Sequence, residues 1–175
     1  MLWLYDSFEA IRDFMDLGGP VLRWIALTIF AMWVLIAERI MFFRGSMKRL
    51  AAETLAKWEA RPERRSWGAH QIREAMISKF DMKTQRSIPM IQTLVALCPL
   101  MGLMGTVTGM IKVFEVMAVS GSGNVRAMAA GVSQATVPTM AGMVGALSGV
   151  LLVTLLSRRA AREVEFLQDS LTMDH

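Results

Sequence analysis

Polar and apolar residues along this chain fall into long blocks. Residues 127–157 run for 31 positions without a charge, and residues 88–111 for 24, where about 20 apolar residues suffice to cross a bilayer core. A third block, 20–43, carries Arg23 near one end and Glu38 and Arg39 near the other, positions from which long side chains snorkel to the interface. The pattern predicts an all-α membrane protein with transmembrane helices at 20–43, 88–118 and 127–157. The last uncharged run is roughly 46 Å long at about 1.5 Å per residue, against a core of about 30 Å. It must tilt or protrude, so the long second and third helices are expected to extend past the membrane.

The segments between the blocks have helical periods of their own. Over 1–19, Leu4, Phe8, Ile11 and Met15 recur on one face, with Asp6, Glu9, Asp13 and Asp16 largely elsewhere, until Gly18-Gly19-Pro20 breaks the run. This is an amphipathic helix, lying either on the membrane surface, where Trp3 and Tyr5 suit the interface, or on the rim of the bundle. Over 44–87, Met47, Leu50, Ala51, Thr54, Leu55 and Trp58 mark one face of a helix that Arg61-Pro62 ends, and Ile72, Ala75, Met76 and Phe80 mark a second. Two short helices make a collar, too small for an independent folded domain.

Composition agrees with the blocks: 54% of residues are hydrophobic and the mean hydropathy is +0.40. Charge adds orientation. Eleven Lys and Arg lie in 44–87 and three in 158–175, against Arg12 alone in 1–19 and Arg126 alone in the loop 119–126. By the positive-inside rule the segment 44–87 and the C-terminal tail are expected in the cytoplasm, and the N-terminus and the loop around Gly121, Ser122 and Gly123 on the outer side. The net charge of +4 is accounted for by topology, and no nucleic-acid partner is expected. The acidic first 19 residues have the wrong charge for a signal peptide. Cys98, the only cysteine, excludes an intrachain disulfide and reads as a small apolar filler. His70 has no Cys or His at ligand spacing, so no metal and no cofactor are expected.

Chemistry is confined to two helices. Gly102, Gly105 and Gly109 are spaced i, i+3, i+7, and Gly142, Gly145 and Gly149 repeat that spacing. Each set lies on one helix face, where small residues let backbones approach in lipid. Packing of the second on the third helix within one chain accounts for one face of each. The second face of each helix is polar and uncharged: Thr106 and Thr108, then Ser133, Gln134, Thr136 and Thr139 around Pro138, of which Thr106, Thr108, Gln134, Thr136 and Thr139 are expected to line a pore or proton pathway. Membrane hydroxyls often bond back to their own helix, and a proline frees a carbonyl that needs such help. The Gln134 amide needs partners that lipid cannot provide, so it faces protein or a wet pore. Lys112 and Glu115 form an i, i+3 pair near the outer end of the second span, either an interfacial ion pair or part of a charged ring at a pore mouth.

The run Pro99-Leu-Met-Gly-Leu-Met-Gly-Thr-Val-Thr-Gly109, followed after a short loop by Gly131-Val-Ser-Gln-Ala-Thr-Val-Pro-Thr-Met-Ala-Gly142, resembles the paired-helix signature of the MotA/TolQ/ExbB proton-channel family, and within it the ExbB branch. The similarity extends from about Gly18-Gly19-Pro20 through Arg159 and includes 33–39. The resemblance implies a homopentamer around a pore lined by the second and third helices. Inside would sit an ExbD-like single-span partner supplying a proton-accepting Asp, coupled through a TonB-like protein to import across the outer membrane, all in the bacterial inner membrane. By position Thr106 and Thr139 match the family's pore threonines, and Pro99 the proline that opens the motif.

Two departures qualify the resemblance. Where ExbB and its relatives commonly place a glutamate, this chain has Gln134, which hydrogen-bonds without titrating; no carboxylate remains in the uncharged cores of either helix. The cytoplasmic segment is also much shorter than in longer relatives, which argues against a flagellar stator. A TolQ-like subunit for envelope maintenance and a passive membrane scaffold are the competing readings. An enzyme is not expected, since the chain has no carboxylate pair, His cluster or phosphate loop.

Overall fold

The computed structural model describes residues 2–120 and 125–172, with side chains described over 9–119 and 125–172. Five helices follow in order: α1 (Leu2–Leu17), α2 (Gly19–Glu59), α3 (Trp67–Gln85), α4 (Ile88–Ser120) and α5 (Val125–Ser170). No strand occurs among the described residues. The stretches Gly19–Glu59, Trp67–Val119 and Val125–Ser170 are each long and apolar enough to cross a membrane, with mean hydropathy of 1.9, 1.9 and 2.0 over their most apolar parts. The tip around Gly121, Ser122 and Gly123, and the side chains of Trp3, Leu4, Tyr5, Asp6 and Phe8, lie outside the described residues.

One expectation is corrected at α2. The helix over 47–58 is not a separate short element but the continuation of the first apolar helix, which runs for 41 residues. No proline interrupts it between Pro20 and Pro62, and the lone Gly45, which has open space around it, costs only about 1 kcal/mol of helix propensity. The expected change at 43/44 is one of side-chain polarity, not of backbone. Bonds from Ala60 N–H to Ala56 O (3.0 Å) and from Arg61 N–H to Trp58 O (3.2 Å) close the last turn, and Pro62 follows.

The chain divides into two compact units. The first comprises Met1–Trp33 and Thr93–Val150. In it the chain turns from α1 into α2 at Gly19, whose φ of +67° is a left-handed conformation that glycine adopts without a Cβ penalty; Pro20 then supplies a fixed φ suited to a first helical turn. Ile11, Phe14 and Leu17 on α1 are exposed.

The second unit comprises Val34–Gln92 and Leu151–His175. Its core is Met47 and Trp58 of α2, Ala69, Ile77 and Phe80 of α3, with Leu167 of α5 and Leu171 just beyond it. Ser66 caps α3 by accepting from Ala69 N–H at 3.2 Å, which satisfies one of the free donors of the first turn. Toward the same end of the unit, Arg73 donates to Leu171 O and Gln168 O, both at 2.7 Å, and Trp58 Nε1 to Thr172 O at 3.1 Å. These carbonyls at the end of α5 have no intrahelical partner, and a cation there complements the helix dipole. The buried Arg39 ties α2 to α3 by donating to Lys83 O at 2.9 Å, with its guanidinium over Phe42 (4.7 Å) and Phe43 (5.1 Å).

Candidate functional site

The first unit is organised by one seam between α4 and α5. On α4 the buried positions are Val95, Cys98, Gly102, Gly105, Gly109 and Val113; on α5 they are Gly131, Ala135, Pro138, Gly142, Gly145, Ala146 and Gly149. Spacing built on steps of three and four keeps each set on one side of its helix. Lipid offers no hydrophobic drive between helices, so close packing of small residues must supply the attraction. The approach is tight enough to exclude a methyl group. A Cβ on Gly109 would lie 2.5 Å from Ala135 Cα, one on Gly142 2.5 Å from Cys98 O, and one on Gly105 2.5 Å from Pro138 Cβ. Gly145 and Gly149 also face α2, against Ile29 and Met32 respectively. The α5 stripe therefore packs against two helices.

Polar groups line this seam on two opposite flanks. At 3.6 residues per turn, Thr106 and Thr108 lie about 200° apart around α4, and Gln134 and Thr139 about 140° apart around α5. On one flank are Pro99, Leu103, Thr106 and Met110 of α4, and Val132, Thr136, Thr139 and Met143 of α5, all exposed or half-exposed in the single chain. Thr139 Oγ1 donates across the seam to Gly102 O at 3.0 Å. Thr106 donates to Leu103 O at 2.6 Å, and Thr136 to Val132 O (3.2 Å) and Ser133 O (3.3 Å). Each of these hydroxyls keeps acceptor lone pairs for another group.

The α1–α2 turn packs on part of the other flank, where Gln134 is half-buried while Thr108 and Lys112 remain exposed. Gln134, Thr108, Gly109 and Lys112 surround, with Gly18 and Pro20, a cavity of about 20 Å³. That is room for one water, and the polar lining suits one. Thr108 donates to Gly105 O at 3.0 Å. Gln134 packs so closely on Gly19 that a Cβ there would come within 2.5 Å of Nε2. The structure thus brings Thr106, Thr136 and Thr139 together, and separately Thr108 and Gln134. Two members of the second group were not singled out for it from sequence. Lys112 was weighed only for Glu115 or a pore mouth, and Gly19 only as a helix breaker; the three- and four-residue steps from Thr108 and Gly109 to Lys112 were the available signal.

The packing at Gly19 makes a prediction. Gly19→Ala should destabilise the fold by about 1–2 kcal/mol from the left-handed backbone alone, with the approach of Gln134 adding to it. Thermal melting of the purified protein measures this, and an unchanged midpoint refutes the assigned geometry.

With three helices long and apolar enough to cross a membrane, a glycine-packed hairpin, flanking hydroxyls and no carboxylate in the uncharged runs of α4 and α5, the chain is of the class of multi-pass helical membrane proteins. Comparison with known proteins is more specific. The family model of the MotA/TolQ/ExbB proton channel family matches residues 42–169, and the chain belongs to that family. A protein of Synechocystis sp. described as biopolymer transport protein ExbB-like 1 is 31% identical over 96 residues. The match covers 53% of this chain and 38% of the relative, so the chain matches well under half of that protein's length.

Proposed function

We propose that this chain is an ExbB-like housing subunit of an inner-membrane, proton-driven motor. In this reading it forms a homopentamer around an ExbD-like single-span partner and energises a TonB-like protein for import across the outer membrane. The observation that carries the proposal is the uncovered hydroxyl flank. Thr106, Thr136 and Thr139 lie on the side of the hairpin that the rest of the first unit leaves open, among apolar residues such as Leu103 (61% exposed) and Met143 (51% exposed). Beyond the bonds they donate within the hairpin, these hydroxyls keep acceptor lone pairs that other helices or pore water would satisfy. The distribution of Lys and Arg supports an N-terminus in the periplasm and a C-terminus in the cytoplasm.

With Gln134 where relatives commonly titrate, and no carboxylate in the uncharged runs, the proton-carrying group comes from the partner's aspartate. Thr106 and Thr139 hydrogen-bond that carboxylate or orient water beside it. Gln134 and Thr108 hold the α1–α2 turn and its enclosed cavity behind the pore wall, while Pro99 and Pro138 loosen the helix backbone locally.

The test is proton uptake into liposomes containing the chain with a single-span, Asp-bearing partner. Uptake is expected only with both proteins and is lost when the partner's Asp is changed to Asn. Equal uptake without the partner would refute the housing role, and no uptake with any such partner would favour a scaffold.

A further inference from the structure

The second unit contains a cavity of about 550 Å³ whose lining changes character along its length. One part is aliphatic: Ile40 of α2 with Leu152, Leu155 and Leu156 of α5. The other is cationic: Arg44 of α2 with Arg158, Arg159 and Arg162 of α5. Leu152, Leu155, Leu156, Arg159 and Arg162 recur at i, i+3, i+4, i+7 and i+10, which places them along one side of α5; Ile40 and Arg44 are one turn apart on α2. No carboxylate lines the cavity, and all four arginines are exposed.

Among the described residues of the second unit, no hydrogen bond or ion pair uses these charges. The core is closed by Trp58 and Phe80, and the end of α5 by Arg73. The change from leucine to arginine coincides with the end of the uncharged run of α5, between Ser157 and Arg158. Along the helix the order is therefore apolar wall on the membrane side, then guanidinium groups where headgroups begin.

We propose that this cavity binds an anionic phospholipid. An acyl chain lies along Ile40, Leu152 and Leu155, and the phosphate is held by guanidinium groups from both helices. Two features select a lipid over other anions. Arginine pairs with phosphate oxygens through its fixed fork of donors, and basic pockets between spanning helices take acidic headgroups. A free phosphate has no use for the leucines, and a soluble polyanion does not reach them. The site differs in residues and position from the hydroxyl flank, and it requires only that the helices span a membrane.

The experiment is native mass spectrometry of the purified, delipidated full-length chain, titrated with phosphatidylglycerol or phosphatidylcholine in detergent. Phosphatidylglycerol is expected to bind at least tenfold more tightly. The triple variant R158Q/R159Q/R162Q should lose that preference, whereas R49Q/K57Q, which removes two cations elsewhere in the same unit, should retain it. Because the triple variant alters three charges near the membrane, Leu155→Glu provides a second test. It keeps every arginine, sits at a position 63% exposed, and places a competing carboxylate on the apolar wall; it too should lower the preference at least tenfold. Equal binding of the two lipids by the wild type overturns the proposal, as does a preference that survives both variants. Displacement of bound lipid by millimolar inorganic phosphate identifies a free-phosphate site instead. A preference seen in the monomer but absent in the assembled oligomer assigns the cavity to a neighbouring copy.

Discussion

Gly109→Ala and Gly142→Ala are each expected to destabilise the protein by about 3 kcal/mol, the upper end of what overpacking by a single methyl group costs. The magnitude follows from what the added atom meets. At Gly109 the three nearest atoms are Cα, Cβ and N of Ala135, at 2.5–2.6 Å; at Gly142 the nearest is Cys98 O at 2.5 Å. These are backbone atoms or a Cβ fixed to the backbone, so no rotamer change relieves the contact and the helices must separate. Separation also weakens the bond from Thr139 to Gly102 O. Gly149→Ala is expected to be milder, because its neighbours are the Val95 side chain and the flexible thioether of Met32. Gly45→Ala, with nothing within 4 Å, should stabilise by about 0.5–1 kcal/mol through helix propensity. Unfolding in mixed micelles by a denaturing detergent gives all four values on one scale. If Gly45→Ala proves as harmful as Gly109→Ala, the close approach of α4 and α5 is not the cause.

The same contacts show what was legible in the sequence. The two glycine triplets each mark one helix face, because a step of three or four in a helix fixes direction regardless of environment. They do not identify partners. Gly109 packs on Ala135, Gly105 on Pro138, and Gly142 on the backbone at Cys98 with Gly102 beyond, so the repeated spacing is not a glycine-on-glycine zipper. That α5 also turns Gly145 and Gly149 toward α2 is a property of tertiary arrangement, absent from any local pattern. The threonines teach a different lesson. Grouping them by type hid a separation that their numbering contains, since positions two apart on a helix point in nearly opposite directions. Gln134 was harder still. Its neighbour Gly19 is distant in sequence, and the approach depends on a left-handed turn that Gly18-Gly19-Pro20 permits without specifying where it leads. In the second unit the apolar face of α2 was readable over 47–58, but the contribution of Leu167 and Leu171 to the same core was not. The tail after residue 157 looked like a charged extension, and its buried residues show only once α5 is seen to continue to Ser170.

Thr139→Val is expected to reduce partner-dependent proton uptake at least tenfold while leaving the fold almost unchanged, and the gap between those effects makes it informative. Valine keeps the shape and removes the hydroxyl. What is lost structurally is a hydroxyl donor directed at Gly102 O (3.0 Å) and more weakly at Ala135 O of its own helix (3.5 Å), and interhelical bonds of this kind in membranes average about 0.6 kcal/mol. That is small against a total stability of about 5–15 kcal/mol. A tenfold fall in rate corresponds to about 1.4 kcal/mol in the barrier, more than the packing loss supplies, so it would report a role in the pathway. Thr106→Val, on the same flank, should behave alike, and Thr139→Ser should retain most of the uptake. Thr108→Val is the decisive comparison. Its hydroxyl serves Gly105 O and the cavity beneath the α1–α2 turn, so uptake should persist. If Thr108→Val abolishes uptake and Thr139→Val does not, protons pass along the flank on which the α1–α2 turn packs, and the assignment of the two faces must be exchanged.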